Sequence, residues 1–265
     1  MARYVKAIII FIFMLVAAPG LTGNDAAANP KGGTVTAGSA TIIEQSATRL
    51  NVIQHSDRAA IDWRSFSIAP GEQTRFQQPS STSIILNRVT GSQASQINGS
   101  LSANGQVLLV NPNGVLVGRS ANIDVTGLAL STAGIRNDDF MAGRMNFSQA
   151  APPGSTVVNQ GQITIADTGF AALMAPGVAN SGVITARLGK VSLGAGRTFT
   201  LDFNGDGLLK VAVDGAVLER VLGLDGKQLD ALVSNTGRIS ADGGVIQLTA
   251  QAVRDLAQAT IHQAG

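Results

Sequence analysis

The chain has 265 residues, with 31 Gly, no Cys, 14% charged and 4% aromatic residues. Average proteins carry about 7% Gly and about 25% charge, so this one is Gly-rich and charge-poor, and its 45% apolar content excludes intrinsic disorder. The net charge of +2 comes with no basic patch, so nucleic acid is not an expected partner.

The N-terminus reads as a secretory signal. Arg3 and Lys6 form a positive start, Ala7 to Ala18 is an unbroken apolar run, and Ala26-Ala27-Ala28 offers small residues for cleavage. Twelve apolar residues are too few to span a bilayer, which takes about 20. The expected division is a signal peptide over 1–28, cleaved near Ala28, and one domain over 29–265. Without the leader the chain keeps 17 cations and 16 anions. An exported chain without Cys cannot use disulfides, so packing and backbone hydrogen bonds must hold it.

Next come several blocks in order. Asn51 to His55 precedes Trp63-Arg64-Ser65-Phe66, and Phe76-Gln77-Gln78-Pro79 precedes Asn87-Arg88-Val89-Thr90-Gly91. The polar run Gln73 to Ser83 is expected to be a loop, with a glycan contact as the sharper reading. Ile97 to Gly105 leads into Gln106 to Val110 and then Asn111-Pro112-Asn113-Gly114-Val115. Pro at i+1, Asn at i+2 and Gly at i+3 favour a β-turn. In order and spacing these blocks closely resemble the two-partner-secretion domain of the filamentous haemagglutinin family, over about residues 32–265. The family's second short motif, Asn-Pro-Asn-Leu, is absent.

The resemblance implies a right-handed parallel β-helix, capped by strands from about residues 32–60. It implies export by the general pathway into the periplasm. A dedicated outer-membrane β-barrel transporter (TpsB type), with periplasmic domains, then recognises the domain. The secreted or surface-attached protein would be an adhesin, a cytolysin or a toxin acting on neighbouring cells, with a large surface adhesin preferred and a host-cell receptor or glycan as further partner. Residues 111–114 would serve as transporter contact as well as turn. Trp63, Phe66, Asn87, Arg88, Val89 and Gly91 are the other family-motif positions, and Trp63 and Phe66 read as core or cap residues.

Pro152-Pro153-Gly154, after the charged stretch 136–146, marks an excursion before three repeats. These start at Asn159, Asn180 and Asn235, each reading Asn-x-Gly-x-Ile. Each reaches a Gly followed four residues later by Leu: Gly169 and Leu173, Gly189 and Leu193, Gly244 and Leu248, with Gly105 and Leu109 earlier. A unit of about 21 residues cannot bury its own apolar face, but stacked units share a core. The Asn residues are expected to stack in a ladder, and Gly and Asn to supply turns of positive φ. A parallel β-helix fits this better than a β-sandwich or leucine-rich repeats. The longer gap before Asn235 is read as an insertion over 197–232, outside the main stack. It contains a β-hairpin with its turn at Asn204 to Gly207 and a short helix before Leu229.

No catalytic constellation stands out. Asp202, Asn204, Asp206 and Gly207 open like a calcium loop, but the twelfth position is Val213 rather than Glu, so a hairpin turn is preferred. His55 and His262 are the only histidines, and without Cys no usual metal spacing exists. No cofactor, metal or enzymatic activity is expected. The competing reading is a β-helical polysaccharide-degrading or glycan-binding secreted protein, which as an enzyme would need clustered carboxylates on one face.

Overall fold

The computed structural model describes residues 29–202, 210–223, 228–252 and 259–264. The leader expected over 1–28 lies outside the described residues, and so do Asn204, Asp206 and Gly207 of the calcium-like turn. The fold is nearly all β. Its first strands are β1 (Thr34–Ala37), β2 (Ala40–Ser46), β3 (Arg49–Gln54) and β4 (Arg58–Trp63), with β1 antiparallel to β4 and β2 antiparallel to β3. Parallel pairing then takes over. In order come β5 (Gln73–Gln77), β6 (Ile84–Val89), β7 (Ser95–Ile97), β8 (Ser100–Ala103), β9 (Gln106–Val110), β10 (Val115–Val117) and β11 (Asn122–Ser131). A five-residue helix, α1 (Asn137–Met141), and β12 (Met145–Phe147) interrupt them. The series resumes with β13 (Thr156–Asn159), β14 (Gln162–Ala175), β15 (Gly177–Asn180), β16 (Val183–Ala186) and β17 (Lys190–Ala195). After β18 (Phe199–Asp202) and β19 (Lys210–Val213) come β20 (Ala231–Asn235), β21 (Arg238–Ser240), β22 (Val245–Ala250) and β23 (Ala259–Gln263).

Three parallel stacks run through this order. One joins β3, β5, β8, the first half of β11, the first half of β14, β16 and β21. A second joins β4, β6, β9, the second halves of β11 and β14, β17 and β22. The third joins β7, β10, β13, β15, β20 and β23. The sequence repeats set the register. Leu109, Leu130, Leu173, Leu193 and Leu248 pair in one column, and Ile123, Ile163, Ile184 and Ile239 in another. The first four leucines of that column are fully buried, each contributing about 1.5–3 kcal/mol.

The second stack departs from simple alternation. Its inward residues (Ile61, Ile85, Leu109) join the main core, while its outward residues (Ala60, Leu86, Leu108, Ala129, Ala172) form a second core. That outer face is covered by two separate segments. The Met145–Phe147 strand pairs antiparallel with β18, and β18 pairs antiparallel with β19, so the arms of the expected hairpin are present. Phe140, Phe147, Phe199 and Val211 of this cover are buried on the stack. The excursion around 136–151 and the hairpin thus form one layer. No helix occurs in residues 214–223, contrary to expectation; Val217 bridges Ala252 and Leu222 bridges Gln228 instead. Those bridges satisfy backbone groups that a helix would otherwise satisfy internally.

The repeat glycines owe their place to space rather than to positive φ. Gly161, Gly182 and Gly237 are absent from the positive-φ residues. A Cβ on Gly182 would lie 2.2 Å from the Gly161 carbonyl oxygen, and one on Gly237 would lie 2.2 Å from that of Gly182. Positive φ occurs instead at a corner that successive repeats share: Thr168 (63°), Leu188 (54°) and Gly243 (72°). Thr168 N donates to Arg187 O, and Leu188 N donates to Asp242 O. Gly suits this conformation and Leu does not. We therefore expect Leu188→Gly, at a side chain 48% exposed, to stabilise the domain by about 1 kcal/mol, measured as a higher urea midpoint.

Candidate functional site

The residues singled out by motif converge on one corner of the stack. Trp63, on β4, points inward and is 1% exposed. Its Nε1 donates to Asn87 Oδ1 at 2.9 Å, and Asn87 Nδ2 donates to Leu108 O at 3.3 Å. Asn87 is itself fully buried, so this bond satisfies a polar group that would otherwise be costly. Phe66 meets Trp63 edge-on, with centroids 5.8 Å apart, and stacks on Phe76 at 6.5 Å. Both aromatics are therefore core residues.

The Asn-Arg-Val-x-Gly block continues the corner. Thr90 N and Oγ1 both donate to Trp63 O, at 2.8 and 3.0 Å. Val89 packs in the main core, and Gly91 approaches Arg64 so closely that a Cβ would lie 2.2 Å from its carbonyl oxygen. Arg88 points outward. It faces Asp62 at 3.3 Å and donates to Asn137 Oδ1 at 2.5 Å, which fastens α1 to the stack. Arg58 assists, with its guanidinium 5.7 Å from the Phe140 ring centroid. Burial pulls the Arg58 pKa below its ordinary value, and Asp57 opposes that shift.

Residues 111–114 form a tight turn tied to the same corner. Gly114 N donates to Asn111 O at 3.0 Å, and Gly114 has φ +108°, where only Gly is at ease. Asn111 is fully buried; its Nδ2 donates to Gln93 O and Ser95 Oγ, both at 2.9 Å. Its Oδ1 accepts from the N–H of Asn113 at 2.9 Å. Asn113 is exposed, and its Nδ2 donates to Gly91 O at 2.8 Å. The three motif blocks are thus linked by side-chain and backbone bonds, with Pro112 and Asn113 at the surface. Gln93 and Ser95 escaped sequence reasoning because nothing in their type or spacing marks them.

The repeat asparagines sit apart from this corner, inside the third stack. Asn159 Nδ2 donates to Asn180 Oδ1 at 2.7 Å, and Asn180 Nδ2 donates to Asn235 Oδ1 at 2.6 Å. Asn235 Nδ2 continues to Gln263 Oε1 at 3.1 Å. All three Asn are at most 1% exposed. A separate single amide contact was not foreseen: Gln78 Nε2 donates to Gln54 Oε1 at 3.0 Å. The 24-residue spacing of the two glutamines, close to one repeat, was its available signal.

Chemically, the corner can hold a rigid turn at the surface. It presents no nucleophile with a base. Among the described residues, no group of three or more His, Cys, Asp or Glu is placed to hold a metal. His55 lies 2.9 Å from Thr41 Oγ1, and His262 pairs in register with Ser234, far along the stack. Among the described residues, no helix is long and apolar enough to cross a membrane.

Comparison with known proteins agrees with this picture. The model of the TPS secretion domain family matches residues 26–264. A heme/hemopexin-binding protein of Haemophilus influenzae is 32% identical over 247 residues, covering 89% of this chain and 27% of that protein. A second Haemophilus influenzae protein of the same description is 45% identical over 95 residues, 36% of this chain and 10% of its own length. The crystal structure of the HMW1 secretion domain from Haemophilus influenzae superposes with a TM-score of 0.69 at 29% identity, covering 89% of this chain and 63% of that one. This chain therefore spans about a quarter of the first relative's length. The matching family is one of secretion domains, not an enzyme class.

Proposed function

The chain belongs to the TPS secretion domain family, and from that premise we propose how it performs its part. It is the secretion domain of a TPS exoprotein, and such exoproteins are secreted through the outer membrane. In our reading, residues 1–28 direct export to the periplasm and are removed. A cognate outer-membrane β-barrel transporter then engages the domain through its periplasmic domains. Residues 29–265 wind into a right-handed parallel β-helix, with strands from about residues 32–60 as its N-terminal cap and 197–232 as an insertion beside the coils. Parallel pairing of successive coils at about 4.8 Å supports this winding. Because each coil contacts mainly its neighbours, the chain can add coil by coil as it emerges. The exoprotein as a whole is a large surface adhesin.

The observation that carries the recognition role is the joined corner. Motif residues far apart in sequence converge to hold Pro112 and Asn113 at the surface. The test separates fold from recognition. Asn111→Ala strips a buried network and is expected to cost about 2–3 kcal/mol, lowering both folding and secretion. Asn113→Ala, at an exposed side chain, is expected to keep the urea midpoint within about 1 kcal/mol of wild type. It should nevertheless lower the amount of chain in the medium while the periplasmic level holds. Full secretion of Asn113→Ala would make the turn purely structural.

A further inference from the structure

The outward face of the first stack carries a trough. Strand β8 contributes only small side chains there, Ser100 and Ser102, while its inward Leu101 is buried. Its parallel neighbours carry longer ones in register: Gln73 and Arg75 on β5, Asn122 and Asp124 on β11. A small floor between two taller walls leaves a channel along β8. Two adjoining clefts fill it, of about 370 Å³ beside Ser100 and about 490 Å³ beside Ser102, sharing Gln73. The walls stand two strand spacings apart, about 9.6 Å. Arg49, next along from Gln73, borders the first cleft.

The chemistry of the trough restricts its occupant. The backbone of β8 is paired on both sides, so no incoming strand can add to it. The floor is serine, without the apolar pocket that anchors peptide side chains. Recognition must therefore come from side-chain amides, hydroxyls and charges. None of Arg49, Gln73, Arg75, Asn122 and Asp124 is bonded through its side chain to another described residue. Arg75 and Asp124 flank Ser102 from opposite walls without meeting. Amides that donate and accept at once suit vicinal hydroxyls. The guanidiniums of Arg75 on the β5 wall and Arg49 on β3 behind it, free of ion pairs, suit carboxylates, while Glu72, which also borders the first cleft, is held by the Ala69 N–H.

We propose that this trough binds an acidic oligosaccharide, a chain of hexuronate type, with a carboxylate on Arg75 and ring hydroxyls on Gln73, Asn122 and Asp124. The site lies on a different face from the corner of residues 111–114 and does not depend on the secretion reading.

The test is titration calorimetry of the purified secreted chain with tetragalacturonate, maltotetraose and tetraglutamate. Tetragalacturonate should bind, and its affinity should fall steeply in about 0.5 M salt. Maltotetraose should bind at least about tenfold more weakly, and tetraglutamate should not bind measurably. Arg75→Ala should weaken tetragalacturonate about tenfold or more. Ser102→Gln should abolish binding by filling the floor. Both side chains point outward, so a matching melting curve for each variant confirms that the loss is local. Absence of tetragalacturonate binding to wild type overturns the proposal. Equal binding of tetraglutamate, or undiminished binding by folded Arg75→Ala and Ser102→Gln, overturns it as well.

Discussion

Asn180→Ala is expected to destabilise the domain by about 3–5 kcal/mol. The substitution removes the middle of the amide ladder. It leaves the Asn159 Nδ2 donor without its Asn180 acceptor and takes the Asn180 amide donor away from Asn235 Oδ1, at sites at most 1% exposed. Each stranded polar group costs about 1–3 kcal/mol, and the missing volume adds a cavity term. Replacing Asn159, Asn180 and Asn235 together with Leu should cost less per site, because no amide of the three is then stranded. It should not be neutral, since Asn159 Oδ1 also accepts from Gly161 N at 3.1 Å. Urea unfolding of the single and triple variants checks both statements. A single-variant cost below about 1 kcal/mol would mean that water reaches the ladder.

Gly182→Ala is expected to be at least as damaging as a typical overpacked core position, about 3 kcal/mol. The added Cβ would lie 2.2 Å from Gly161 O, 2.7 Å from Gln160 C and 2.8 Å from Gly161 N. All three are backbone atoms of the preceding repeat, so no side chain can move aside. The coils would have to separate where their hydrogen bonds hold them. Gly71→Ala is the contrasting control. Nothing lies within 4 Å of its new Cβ, but φ is +82°, so only the left-handed penalty of about 1–2 kcal/mol applies. Equal midpoints for Gly182→Ala and Gly71→Ala would show that close approach between coils is not what selects glycine in the repeat.

The contrast also explains what the sequence could reveal. The Asn-x-Gly-x-Ile spacing placed Asn159, Asn180 and Asn235 in one column, because a one-residue slip would turn an inward side chain outward. It also marked the glycines, but for the wrong reason. A sequence shows that Gly is required, not whether φ or a neighbouring carbonyl requires it, since that neighbour lies a full coil away. The second core was legible in part. Ile84-Ile85-Leu86, Val107 to Val110 and Ala171 to Ala175 are runs without alternation, which signals strands buried on both faces. What buries them was not legible, because Phe140, Phe147 and Phe199 come from segments that meet only after folding. The polar run Gln73 to Ser83, expected to be a loop, is a strand over Gln73–Gln77 and a loop only after it. Its outward face is solvated, and inward Thr74 and Phe76 are too few to show a period.

The motif corner was legible as a resemblance and not as geometry. Trp63, Asn87, Asn111 and Asn113 could be picked out by type and order. Their bonds depend on Leu108, Gly91, Gln93 and Ser95, partners that offer a backbone carbonyl or a common hydroxyl. Such partners carry no signature in the sequence. The function followed from the same blocks, while their physical role in presenting one surface turn needed the register of β4, β6 and β9.

As a TPS secretion domain, this chain is proposed to leave the cell through a dedicated outer-membrane barrel. The most direct measurement is the amount of chain in culture medium and in periplasm, in its native cells, with and without the outer-membrane transporters of the two-partner type. Folded chain is expected in the medium when the cognate transporter is present, and periplasmic retention or degradation when it is deleted. Undiminished release into the medium after deletion of every such transporter would contradict it.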